Sequence, residues 1–141
     1  MIPFAKFEPD RSRYAVDAST YTSNALPVAD GWAPIPGHQG ITTALPATCK
    51  GSVSVRTPTG TVRTFAATAT KIYELQSNLT WTDVSGTTYS LPDGDLWSFE
   101  EFGDYLVAAN IGDNPQYISI SGGTAFADLP GTPPKAKYLW T

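Results

Sequence analysis

The chain has 141 residues, of which 41% are hydrophobic, with 12 Gly, 12 Pro and a single Cys. That is about one domain's worth of chain, too apolar for a disordered protein, too rich in helix breakers for a helical bundle, and without the cysteines for an internal disulfide framework. The net charge of −4 is unevenly placed: residues 1–71 carry seven Lys/Arg against four Asp/Glu, residues 72–134 carry nine Asp/Glu and no Lys or Arg, and Lys135 and Lys137 follow. An acidic part beside a basic part suits ordered contacts with neighbours, a surface that must not grip nucleic acid, or simple solubility.

Residues 1–45 read as an irregular N-terminal arm. Pro3, Pro9, Pro27, Pro34 and Pro36 punctuate it, and DGWAPIPGHQG is a turn-and-extended stretch without helical period. Its aromatics, Phe4, Phe7, Tyr14, Tyr21 and Trp32, need something to pack on. The opening MIPFAKFEPD has acidic residues and prolines where a signal peptide has an apolar core. No apolar run approaches the roughly 18 residues of a membrane span. A product made in a cytosol, without membrane insertion, is expected.

Residues 46–141 read as a β domain. SVSVR places Val53 and Val55 on one face, Thr57-Pro58-Thr59-Gly60 turns, and Thr61 to Ala67 returns. KIYEL sets Tyr73 and Leu75 against Glu74, QSN turns, and LTWTDV places Leu79 and Trp81 on one face. SGTTYSLPDGD is a turn-rich link. LWSFEEFGD is the one helix-like stretch, and Gly103 breaks it early. The run Tyr105 to Ala109, the turn GDNPQ and a second hairpin, YISI-SGG-TAFADL, complete the chain. The fold class is mostly β.

The two hairpins repeat. Setting Tyr73 against Ile118 aligns Leu75 with Ile120, Trp81 with Phe126, Asp83 with Asp128 and Val84 with Leu129, at a constant interval of 45 residues. Thr64–Ala67 precedes the first copy much as Leu106–Ala109 precedes the second. Period-two strands, short turns and a repeat of about 40–50 residues are the signature of β-propeller blades. About two such blades are expected here, with Trp81 and Phe126 as equivalent buried anchors and Asp83 and Asp128 capping the turns that follow. The competing reading is a coincidence between two amphipathic hairpins.

Residues for chemistry are few. His38 is the only histidine, and PGHQG is not a nucleophile elbow. Cys49 stands beside Lys50, which would lower its pKa, but a half-buried structural thiol is the better expectation. Asp93, Asp95, Glu100, Glu101 and Asp104 could supply oxygen ligands to a hard cation, yet their spacing is not that of an EF-hand, and a solvated acidic turn is expected. Asn78-Leu79-Thr80 fits a glycosylation acceptor, which has meaning only in a eukaryotic secretory pathway. Trp81 and Trp97 sit at periodic apolar positions, so core packing is expected over sugar stacking. Neither an enzyme nor a bound cofactor or metal is expected.

The phrases ALPVADGWAPIPG, TALPATCKGSVSV, FAATATKIYEL, TWTDVS, LWSFEEFGDYLVAANIGDNPQ and FADLPGTPPKAKY, in this order, resemble the N-terminal part of a podovirus tail nozzle or hub protein of the packaged-DNA-stabilisation kind. The resemblance spans roughly residues 24–141. It implies a structural virion protein, assembled in the bacterial cytoplasm and located in the tail. Copies of it, six by the resemblance, would form a ring of β-propellers below the portal and adaptor and above the distal tail components. Phage DNA would pass through the bore without specific binding. Members of that family are several times longer, and two blades cannot close a ring that needs at least four, so a fragment of a longer product, or its ordered part, is expected. Since Lys/Arg contacts to phosphates act as brakes, the stretch 72–134 suits a lumen wall, with Asp93, Asp95, Glu100 and Glu101 as candidate bore-lining residues. The rival expectation is a carbohydrate-binding propeller for host attachment.

Overall fold

The computed structural model describes residues 6–8, 10, 12, 14, 18–19, 23–28, 31–37 and 39–140. Phe4, Tyr21 and His38 lie outside the described residues. The chain divides into two units, Met1–Gln39 and Gly40–Thr141.

In the first unit, β1 (Lys6–Phe7) pairs in parallel with β2 (Ala18–Ser19), and β3 (Ala25–Val28) forms an antiparallel hairpin with β4 (Gly31–Pro34). The stretch expected to be irregular therefore contains a hairpin. Its prolines are compatible with pairing because a two-stranded ribbon has only edge strands, where a missing N–H need not break a ladder. Pro27 sits opposite Trp32 and Pro34 opposite Ala25.

The second unit contains two four-stranded antiparallel sheets, each in sequential up-and-down order. The first is β5 (Gly51–Arg56), β6 (Val62–Ala67), β7 (Ile72–Leu75) and β8 (Trp81–Asp83). The second is β9 (Ser98–Phe102), β10 (Tyr105–Ala109), β11 (Gln116–Ser119) and β12 (Ala127–Asp128). No helix occurs among the described residues. The fold is mostly β, and each of these sheets has the strand number and order of one propeller blade.

The helix-like stretch 96–104 is a strand and a turn. Ser98–Phe102 pairs along its whole length with Tyr105–Ala109. The two-residue loop between them starts with Gly103 at φ +59, a left-handed conformation that glycine adopts readily and that suits the tight turns of hairpins. Hairpin closure outweighs the weak helical propensity of five residues, since an isolated helix that short cannot offset its nucleation cost.

Successive strand residues face opposite sides, and the pairing registers assign each side. Val53, Val55, Phe65, Ala67, Ile72 and Glu74 share one face of the first sheet. Leu106, Ala108, Gln116 and Ile118 share one face of the second. These two faces meet. Phe65 and Phe126 contact edge to face at 5.7 Å, and Val55, Phe65, Ala67, Ile72, Val84, Leu106, Ala108, Ile118, Ile120 and Phe126 form one buried cluster. The link between the sheets closes it from one side. Tyr89 and Leu91 donate backbone N–H bonds to Thr70 and Ala69, Trp97 donates its own to Lys50, and the Trp97 indole N–H reaches the Thr68 carbonyl at 2.9 Å. β5 and β9, the first strands of the two sheets, thereby adjoin.

The repeat is visible in the register, with one adjustment. Tyr73 stands opposite Asp83, and Gln116 opposite Asp128. Asp83 and Asp128 are therefore counterparts, but the counterpart of Tyr73 is Gln116, two residues short of Ile118. The connection at 120–126 is two residues longer than that at 76–80. A shift of two keeps each side chain on its face.

The anchors differ in burial. Phe126 is 2% exposed, whereas Trp81 is only half-buried. The reason is positional. Phe126 belongs to the face of the second sheet that the first sheet covers. Trp81, opposite Leu75, belongs to the face of the first sheet turned away from the second, where its indole N–H donates to the Thr43 carbonyl at 3.0 Å.

Candidate functional site

Asp93 and Asp95 occupy the loop that delivers the chain to β9. Gly94 takes φ +82, and the Asp95 N–H donates to the Pro92 carbonyl at 3.2 Å, so the loop turns tightly and presents both carboxylates near its tip. Asp93 is exposed. Asp95 pairs with Lys137 at 2.5 Å, and this contact holds the Lys137 ammonium above its ordinary pKa. Glu100 and Glu101 follow on β9. As neighbours in a strand they point to opposite faces: Glu101, opposite Leu106, is exposed, and Glu100, opposite Val107, is half-buried on the other side. The four carboxylates thus lie along one loop and one edge strand. Among the described residues no group of three or more His, Cys, Asp or Glu is arranged to hold a metal ion.

Other carboxylates hold turns. Asp104 accepts from the Ser119 hydroxyl at 2.7 Å and from both the N–H and the hydroxyl of Ser121. These bonds, Ser121's first, hold its pKa below the usual carboxylate value. Asp83 accepts the Ser85 N–H at 2.9 Å and pairs with Lys71 at 3.3 Å. Its slight burial pushes its pKa up, but the Ser85 and Lys71 interactions outweigh this and lower it. Asp83 therefore caps the turn after β8. Its counterpart Asp128 instead accepts the Gln116 side-chain N–H at 2.6 Å.

That pair borders a polar cleft of about 410 Å³, lined by Gly86, Thr87, Gln116, Phe126, Ala127 and Asp128. Gln116 is 1% exposed and fully engaged. It donates to Asp128 and to the Asn114 carbonyl and accepts from the Tyr89 hydroxyl at 3.4 Å. Burial pushes the Tyr89 phenol up to about 12. A Cβ on Gly86 would collide with the Phe126 carbonyl oxygen, so the cleft floor is a close backbone crossing. Tyr89, Gln116 and Asp128 are bonded in a chain along it, which reads as a structural seam between the link and the second sheet.

The remaining residues singled out in the sequence resolve simply. Cys49 is exposed rather than half-buried, and its thiol donates to the Gly51 carbonyl at 3.4 Å. Asn78 accepts the N–H and the hydroxyl of Thr80 at 3.2 and 2.7 Å, so this side chain shapes the β7–β8 turn. Trp97 is core, Trp32 and Trp81 are half-buried, and only Trp140 stands 95% exposed.

The apolar signal that sequence reasoning missed lies on the far side of the second sheet. Phe102, Tyr105, Val107, Tyr117, Leu129 and Pro130 line a depression of about 300 Å³. Tyr105 and Tyr117 meet edge to face at 5.6 Å, and Phe102 is 71% exposed. Alternation in β9 and β10 could have revealed it, but a run such as YLVAA is apolar on both faces, which reads as a strand covered on both sides.

No protein-family model matches the chain, and no curated protein matches its sequence.

Proposed function

We propose that this chain is a structural, non-enzymatic component of a phage tail, a subunit of the nozzle or hub ring that forms part of the DNA conduit. The reading rests on the resemblance in its sequence phrases. The observation that carries it further is the pairing of blade-like sheets with a stretch, 72–134, that has no Lys or Arg. Asp93 and Glu101, the latter on the edge strand β9, are exposed. Carboxylates facing a bore keep phosphates at a distance, where Lys or Arg would add salt-dependent affinity.

Imaging decides it. Negative-stain images of tails carrying an affinity-tagged copy of this chain are expected to show the tag around a central bore below the head. A tag found on fibres, or no incorporation into particles, removes the reading.

A further inference from the structure

The two four-stranded sheets carry like loops after their second strands and differ in what closes over them. β6 ends at Ala67 and β10 at Ala109. Beyond these ends Thr68 Oγ1 accepts the N–H groups of Thr70 and Lys71, and Asn110 Oδ1 accepts those of Gly112 and Asp113. Thr70 and Gly112 are therefore counterparts. The Thr70 carbonyl receives the backbone N–H of Tyr89 at 3.0 Å, and the Ala69 carbonyl receives that of Leu91 at 3.1 Å. Both donors belong to the segment after β8, and their side chains are buried. The Gly112 carbonyl receives instead the Lys135 ammonium at 2.5 Å, from the segment after β12.

This second segment is held by its lysines. After Lys71 the next cations in the sequence are Lys135 and Lys137, and both are engaged here. Lys137 pairs with Asp95 at 2.5 Å, in the loop before β9, and both side chains are partly exposed. None of residues 131–137 is buried. The segment starts with Gly131 at φ +88 and Thr132 at φ +51, and the second of these crowds a β-branched residue, which relaxes when the segment lifts. Exposed ion pairs are screened by salt, whereas buried apolar contacts such as those of Tyr89 and Leu91 are not.

We infer that residues 131–137 form a strap that ionic strength releases. At low salt the two lysines clip the segment to the Gly112 and Asp95 loops. Screening lets it lift between Leu129, whose N–H donates to the Pro115 carbonyl, and Leu139, whose N–H donates to the Ser98 hydroxyl oxygen. Lifting bares the Asp95 carboxylate and the Gly112 carbonyl. Both clips lie on loops of the second sheet itself, so the inference rests neither on the tail assignment nor on what covers the outer faces of the sheets.

Trypsin reads the strap directly, because it must take a lysine into its own pocket and cannot do so while the ammonium is clipped. The full chain is digested at about 0.01 M and about 1 M salt, between which the screening length falls from roughly 30 Å to 3 Å. Cut positions are followed by mass, and each rate is divided by that of a short lysine peptide in the same solution. Cleavage after Lys135 and Lys137 is expected to be about twofold to fivefold faster at high salt, the change in open population that loss of an exposed ion pair brings. Asp95→Asn keeps the shape of the side chain and removes its charge. In this variant cleavage after Lys137 at low salt is expected to be as fast as in wild type at high salt. If circular dichroism shows Asp95→Asn to be unfolded, Lys137→Gln, read at Lys135, replaces it, with the same acceleration expected at low salt. Wild-type rates that do not change with salt overturn the inference. So does a variant that is cut at low salt no faster than wild type, because something other than charge would then hold the strap.

Discussion

The Arg63 guanidinium lies against the Glu74 carboxylate in a two-pronged contact, Nε to Oε1 at 2.6 Å and Nη2 to Oε2 at 2.9 Å. Its other N–H groups donate to the carbonyls of Ser119, Ile120 and Gly123 in the second sheet, at 2.9–3.0 Å. All five donors of the side chain are used, and the guanidinium lies 5.0 Å from the centre of the Phe65 ring. One side chain from β6 thus closes the β11–β12 connection of the neighbouring sheet. Side-chain exposures of 13% and 16% place the pair between surface and interior.

Removing Arg63 leaves Glu74 and three carbonyls without their donor. Arg63→Ala is expected to cost about 3 kcal/mol, the lower end for breaking a buried pair, because both groups keep some solvent contact. Arg63→Lys should recover only part of this, since an ammonium cannot reproduce the fork. Urea denaturation of the three proteins checks both statements, and a loss below about 1 kcal/mol for Arg63→Ala would reduce the contact to a surface ion pair.

Phe126 and Trp81 should respond unequally to truncation. Phe126→Ala is expected to cost about 3–5 kcal/mol, as for a fully buried aromatic. Trp81→Ala is expected to cost about 1–2 kcal/mol, for one indole hydrogen bond and a partly covered ring. Equal losses in denaturation would mean that the two faces are covered alike.

Leu79 adopts φ +63 in the β7–β8 turn, where a side chain crowds the backbone at about 1–2 kcal/mol. Its N–H donates to Gln76 and its carbonyl accepts from Thr43, and both bonds survive substitution. Leu79→Gly should therefore raise stability by roughly 1 kcal/mol, less what the more flexible unfolded chain takes back. A melting temperature unchanged or lowered in Leu79→Gly would show that the leucine side chain contributes more than its conformation costs.

Tyr89 sets an alkaline limit. Its pKa rises from 10.0 to about 12 in the folded chain, chiefly by burial. The folded state then holds the phenolic proton that the unfolded state releases, so stability is constant below about pH 10 and falls as pH rises toward 12. Tyr89→Phe should flatten this decline while losing the bonds to Gly86 and Gln116. Stability measured against pH in both proteins checks the sign. At the acid end, Asp104, held below its usual pKa, contributes stability that is present at neutral pH and lost as pH falls through its folded value.

Charge reversal separates the candidate bore residues. Asp93→Lys and Glu101→Lys alter exposed side chains and should shift stability by no more than about 0.5 kcal/mol. Asp95→Lys sets two ammonium groups together where Asp95 now pairs with Lys137 and should cost somewhat more. In virions, the Asp93 and Glu101 changes should slow genome ejection most at low salt, where phosphate contacts are tightest. Ejection followed by dye release, unchanged at both low and high salt, would place these carboxylates away from DNA.

Alternation, turn residues and the interval between TWTDV and TAFADL were enough to place the β5–β6, β7–β8 and β11–β12 hairpins and to make Asp83 and Asp128 counterparts, because strand period and turn chemistry are local properties. The same locality limited the reading. Residues 98–102 and the hairpin at 25–34 carry weak propensities that pairing partners override, and no local signal distinguishes Trp81 from Phe126. Burial depends on what lies across the sheet. Phe126 meets Phe65 from a strand some sixty residues earlier, whereas Trp81 faces outward, and only the packing of one sheet on the other decides which of two like positions is core. The same holds for Arg63, whose partners at Ser119, Ile120 and Gly123 are brought within 3.0 Å by the fold alone.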